Sequence, residues 1–135
     1  MEGGHNPAMG EDCLCQQQDP ALARKFLLDN REHRTLVDES HFDVSLIRCL
    51  ACGQLYLRAW YELIDWVNSE DSQADWWFPI DDELGDRILR VGSAVNESVI
   101  DLLELNGRYL LHAWPSGATS YCQWMDGRPP HFPHD

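Results

Sequence analysis

The feature that most constrains this chain is a cysteine pair in the stretch Ile47-Arg48-Cys49-Leu50-Ala51-Cys52-Gly53-Gln54-Leu55-Tyr56. A C-x-x-C spacing presents two sulfurs from one tight turn. A glycine straight after the second cysteine lets the backbone turn so that amide N–H groups face those sulfurs. The pair supplies half of the ligands a four-coordinate structural zinc needs. Cys13-x-Cys15 is the obvious source of the rest, and the long gap from Cys15 to Cys49 leaves room for an inserted helix. Three other readings stay open: a histidine (His41 or His5) in place of one N-terminal cysteine, a redox-active thiol pair, and unligated cysteines. Redox C-x-x-C pairs usually begin a helix, where the dipole lowers the thiol pKa; this pair lies inside a predicted hairpin. Cys122 stands apart and reads as a small buried apolar residue.

Cys13-Leu14-Cys15 followed by Cys49-Leu50-Ala51-Cys52-Gly53-Gln54-Leu55-Tyr56 resembles a zinc ribbon. More narrowly, it is similar to small, uncharacterised bacterial proteins that carry C-x-C, a strand, then C-x-x-C-G-Q and an aromatic strand. The resemblance covers residues 13–66. It implies a structural Zn2+ held by Cys13, Cys15, Cys49 and Cys52. It implies no particular activity, because ribbons serve many unrelated proteins. Four thiolates would close the site and leave no position for a reacting water.

Periodicity supplies the surrounding elements. Asp19-Pro20 marks a helix start, with Asp as N-cap and Pro at the first helical position, and predicts a helix from Pro20 to Asn30. The next stretch, REHRTLVDES, reads as polar. Alternation predicts strands over 41–49 and 54–65, joined through the cysteine turn. Asn68 to Ala74 reads as a polar loop, followed by the apolar cluster Trp76-Trp77-Phe78-Pro79. Helices are predicted over 81–91 and 96–105, with Gly107 placed to cap the second. Tyr109–Trp114 and Tyr121–Met125 read as short strands. The expected fold is α+β: a zinc-stapled antiparallel hairpin or sheet with about three packed helices. One domain is expected over 1–135, with a flexible tail at 1–12, a ribbon-like part at 13–66 and an acidic α+β part at 67–135.

The acidic part reflects the charge of the chain. Net charge is −13 and the pI is near 4.6, a balance that repels phosphate backbones and argues against nucleic acid as a partner. Between Asp65 and Glu104, eleven acidic residues face only Arg87 and Arg90, a local net of −9. No apolar run is long enough to span a membrane. The N-terminal segment has neither the basic nor the apolar region of a secretory signal, so a cytoplasmic location is expected. That compartment also makes structural disulfides a poor explanation for five cysteines.

Several residues compete for a functional role. The chain has six tryptophans. Trp76 and Trp77 are candidates to contact a partner or line a pocket, against the plainer reading of one ring packed inward and one left partly exposed. Asp81, Asp82 and Glu83 are candidates for the same partner surface or for a cation, against a helix-start role in which negative charge meets the dipole. His112 is a candidate general base. His131 and His134 sit in a Pro-rich tail. No phosphate loop, dinucleotide fingerprint, nucleophile elbow or H-E-x-x-H is present. The leading expectation is therefore a non-enzymatic module that binds another protein, with a basic one favoured by charge; an acidic immunity- or antitoxin-like inhibitor is the concrete version. An enzyme with a site near His112 and Trp76–Phe78 is the alternative. A ribbon-type transcription or nucleic-acid adaptor is weaker, with Arg24, Lys25, Arg31 and Arg34 its local supply of positive charge.

Overall fold

Each strand of this protein pairs antiparallel with the next one in the chain. The computed structural model describes residues 13–63, 72–115 and 119–130. Among them a six-stranded meander runs β1 (Arg31–Glu39), β2 (Phe42–Cys49), β3 (Leu55–Leu63), β4 (Ser72–Ile80), β5 (Gly107–Trp114) and β6 (Tyr121–Gly127), in that spatial order. Three short helices accompany it: α1 (Pro20–Asp29), α2 (Asp82–Val91) and α3 (Glu97–Leu102). The expected balance of helix and strand is corrected by this count. The fold is mostly β, and the cysteine hairpin is only its second and third strands.

Two strands escaped the sequence pattern, for opposite reasons. β1 is an edge strand, and most of REHRTLVDE is exposed, so it shows no alternation; charge on such an edge discourages pairing with another chain. β4 is central and buried on both faces, so SQADWWFPI reads as an apolar block rather than an alternating strand. Ser72, Gln73 and Ala74, expected in a loop, pair with Leu63, Glu62 and Tyr61.

Alternation along each strand divides the buried residues between two layers. One face carries Val44, Leu46, Leu57, Ala59, Trp76, Phe78 and Leu111, against Ile88 of α2 and the flanking Val95 and Leu105. Gly85 brings α2 close, since a Cβ there would collide with the Leu55 side chain. The other face carries Ile47, Tyr56, Trp77 and Leu110, against Leu27 and Phe26 of α1 and the cysteines. Trp76 and Trp77 therefore point in opposite directions and are both 0% exposed. The expectation of one indole left partly exposed is corrected: in a doubly covered central strand neither neighbour reaches solvent.

The helix signals correspond to real caps. Asp19 accepts a hydrogen bond from the Leu22 amide at 3.2 Å, Asp81 from Leu84 at 2.8 Å and Asn96 from Val99 at 3.0 Å. Gly107 does not cap α3. It begins β5, and Glu104 (φ 52°) takes the left-handed position after the helix instead. Among the described residues, no helix is long and apolar enough to cross a membrane. The expectations for residues 1–12, for the continuation of β3 through Ile64 and Asp65, and for His5, His131 and His134 lie outside the described residues.

Candidate metal centre

The β2–β3 turn is built to hold two sulfurs. The Cys49 amide donates to Gln54 O at 2.9 Å and the Gly53 amide to Cys49 O at 2.8 Å. Gly53 takes φ +84°, in the region that side-chain-bearing residues enter at a cost of about 1–2 kcal/mol. The Leu50 amide donates to Asn30 O at 2.8 Å, which ties the turn to the end of α1.

Cys13 and Cys15 approach from the other side on a single turn of 3-10 helix, Leu14–Gln16. The Sγ atoms of Cys13 and Cys49 lie 3.7 Å apart, as do those of Cys15 and Cys52. All four sulfurs fall within 4.8 Å of one another. These separations are too long for a disulfide, whose S–S bond is about 2.05 Å, and all four cysteines are free thiols. They match a tetrahedron of thiolates around a metal: with metal–sulfur bonds of about 2.3 Å, its edge is about 3.8 Å. The four cysteines thus form a cluster able to hold a metal ion. Cys15 and Cys49 are buried, while Cys13 and Cys52 are half-buried.

A shell of donors supports the cluster. The Tyr56 hydroxyl donates to Cys15 Sγ at 3.1 Å and accepts from the Gln16 side-chain amide. Arg108 donates to Gln16 Oε1 at 2.9 Å, and the Trp124 indole N–H donates to Gln17 O at 2.9 Å. Strands β3, β5 and β6 thereby hold the turn that carries Cys13 and Cys15. Sequence reading missed Tyr56, Arg108 and Trp124, because each acts on a turn 40 or more positions away along the chain. The only local hint was the tyrosine two residues after Gln54 in an otherwise aliphatic strand start.

Electrostatics differ among the thiols. Burial pushes Cys15 well above the ordinary thiol range, and Tyr56 offsets part of that. Burial likewise pushes Cys52 up to about 11, against the pull of the Gln54 amide. Cys13 feels burial too, but the Cys15 amide and the neighbouring thiols outweigh it and lower its pKa. Such N–H and O–H donors stabilise the charge that four thiolates would bring.

The remaining candidates separate from this site. Asp81 is the N-cap of α2, with Asp82 and Glu83 in its first turn, and Asp82 pairs with Arg48 at 3.1 Å. Trp76 and Trp77 are core residues and present no ring to a partner. His41 pairs with Glu62 at 3.1 Å, at the opposite end of β3 from the cysteines. His112 stands in register with Asp75 on one side and Cys122 on the other. These three do not form a nucleophile relay. The Asp75 carboxylate is taken by Arg24, Arg58 and the Trp77 indole, and His112 Nδ1 is buried without a partner. Burial holds the Cys122 thiol up at about 11 and pushes His112 below its ordinary range.

The chain matches no family model, no curated protein and no solved structure.

Proposed function

We propose that this protein is a non-catalytic binding domain whose N-terminal segment is fastened to the sheet by one structural Zn2+ on Cys13, Cys15, Cys49 and Cys52. The observation that carries the reading is the convergence of four thiols at tetrahedral spacing, from two turns 36 residues apart. Thiolates favour zinc over harder cations. Four of them fill the coordination sphere, so the ion would stabilise the fold without activating water. It would link α1 and its preceding turn to β2 and β3, at the edge of the smaller of the two cores.

Metal analysis of the purified protein tests this directly. One equivalent of zinc is expected, with Cys13→Ser and Cys49→Ser each losing it together with cooperative unfolding. Full zinc content in both variants would sink the assignment. Zinc retained only in Cys13→Ser would move the ligand set away from that residue.

For the partner, charge supports a basic protein. The chain carries −13 overall, and α2 exposes Asp82, Glu83 and Asp86. An acidic inhibitor of a basic toxin remains the concrete version. Co-expression with the product of the adjacent gene should give a stable complex on size exclusion that weakens as salt rises. Two separate peaks at low salt would count against it.

A further inference from the structure

The sheet face that holds the cysteines also holds a charged cluster far too buried for ordinary surface pairing. Asp75 is 0% exposed. Its Oδ2 accepts from Arg24 Nη2 at 3.1 Å and from Arg58 Nη2, while Oδ1 accepts from the Trp77 indole at 3.3 Å. Arg24 reaches in from α1 and Arg58 from β3. Their side chains are only 18% and 17% exposed.

Asp75 neutralises only one of the two guanidiniums; a second carboxylate on this face, Asp43, acts on Arg58 from beside Trp60, with its own Oδ1 buried and unpartnered. A purely structural ion pair would need one arginine, and an uncompensated buried charge is costly. The donors are also unspent. Each guanidinium has five N–H groups, yet Nε of both arginines is buried without a partner, as is Nδ1 of His112 next to them. Neighbouring groups feel these charges: burial, then Arg58 and Arg24, lowers the pKa of Arg31, and burial, then Arg31 and Arg58, lowers that of His33. In a chain of net charge −13, two arginines gathered on one buried carboxylate stand out.

The surroundings are flat and aromatic. Arg24 lies over the Trp114 ring at 5.7 Å, and His112 meets the same ring edge-on at 3.9 Å. Trp60 stands in register beside Asp75, opposite His112. Trp60, His112 and Trp114 are half-buried, so the cluster remains open to solvent on that side.

We propose that Arg24 and Arg58, fixed by Asp75, form the anion-binding end of a small-molecule site, with Trp60, His112 and Trp114 as its walls. The ligand class is a planar monocarboxylate. A single negative charge matches the one guanidinium that Asp75 does not neutralise, and the Asp43 carboxylate near Arg58 disfavours a dianion. A guanidinium fork suits a carboxylate, and the indole and imidazole faces suit a flat apolar body.

Benzoate is the probe, read by tryptophan fluorescence and checked by calorimetry on the full chain. Saturable binding is expected, with the neutral isostere benzamide at least roughly tenfold weaker because the charged hydrogen bonds are lost. Arg24→Gln should weaken benzoate by a similar factor. Arg24→Lys, which keeps the charge but not the fork, should fall between the two and guards against misfolding of the glutamine variant. Arg87→Gln on α2 should bind like the parent. Equal affinity for benzoate and benzamide, unchanged binding in both Arg24 variants, or no saturable binding at all overturns the proposal. Tighter binding of phenyl phosphate than of benzoate overturns the choice of carboxylate.

Discussion

The Tyr56 hydroxyl donates a hydrogen bond to Cys15 Sγ at 3.1 Å from within the buried core. Tyr56 is 0% exposed, so its hydroxyl has protein groups to bond and little water. Removing that oxygen takes a donor from a buried sulfur and leaves the Gln16 amide without its acceptor. Tyr56→Phe should therefore keep the fold but weaken zinc by about 10- to 100-fold, the usual penalty for losing an outer-sphere partner. Competition with a chromogenic chelator measures it; parental affinity would show that the hydroxyl does not support the metal.

Zinc uptake should expel protons. Burial pushes Cys15 well above the ordinary thiol range and Cys52 up to about 11, so both thiols are protonated in the metal-free protein at neutral pH. Zinc must displace those protons, and its affinity should rise with pH by about tenfold per unit for each one displaced. Calorimetry in buffers of different ionisation enthalpy counts them. The sign is opposite for stability without metal. A folded-state pKa above the ordinary 9.0 favours the neutral thiol, a contribution complete below pH 9 and lost as pH climbs through about 11. The urea midpoint of the metal-free protein should fall over that interval.

Trp76 and Trp77 give a test of the two-layer arrangement. Truncating either to alanine should cost about 3–5 kcal/mol in chemical denaturation. The metal should tell them apart. Trp77 packs in the cluster that contains Cys15 and Cys49, whereas Trp76 packs against the α2 side. Trp77→Ala should weaken zinc binding, and Trp76→Ala should leave it nearly unchanged. Equal losses in both variants would contradict the separation of the layers.

Asp75→Ala strands two buried guanidiniums. The expected loss is about 3–5 kcal/mol, the range for removing one partner of a buried pair, and it should persist at high salt because the Asp75 carboxylate itself is fully buried. A loss below about 1 kcal/mol, typical of exposed pairs, would show that Arg24 and Arg58 find other partners. Urea, which carries no charge, lets unfolding be compared at low and high salt.

Legibility in the sequence followed locality. Asp19-Pro20 announced α1, and the acidic run Asp81-Asp82-Glu83 announced the start of α2, because caps and dipole contacts act within the first turn. The β2–β3 hairpin was visible because Gly53 and the flanking alternation lie within one short window. β1 and β4 were not visible, since edge exposure and double burial each erase a period of two. Of the cysteine cluster, the residue types and the C-x-x-C-G turn were readable. The support from Tyr56, Arg108 and Trp124 was not, and neither was the join of Arg24 to Arg58 through Asp75, whose partners lie 51 and 17 positions away.

By itself, then, the sequence determined the helix starts, the central hairpin, the acidic balance and the supply of four paired thiols. Each of these is set by side-chain chemistry within a few residues, or by a simple sum of charges. Only the tertiary structure decided that the sheet has six strands in chain order. It also decided that adjacent tryptophans serve opposite cores, that Cys13 and Cys15 reach Cys49 and Cys52, and that a buried carboxylate gathers two arginines. These depend on which faces of distant strands come into register, and that choice is made by the burial of apolar area over the whole chain rather than by any one segment.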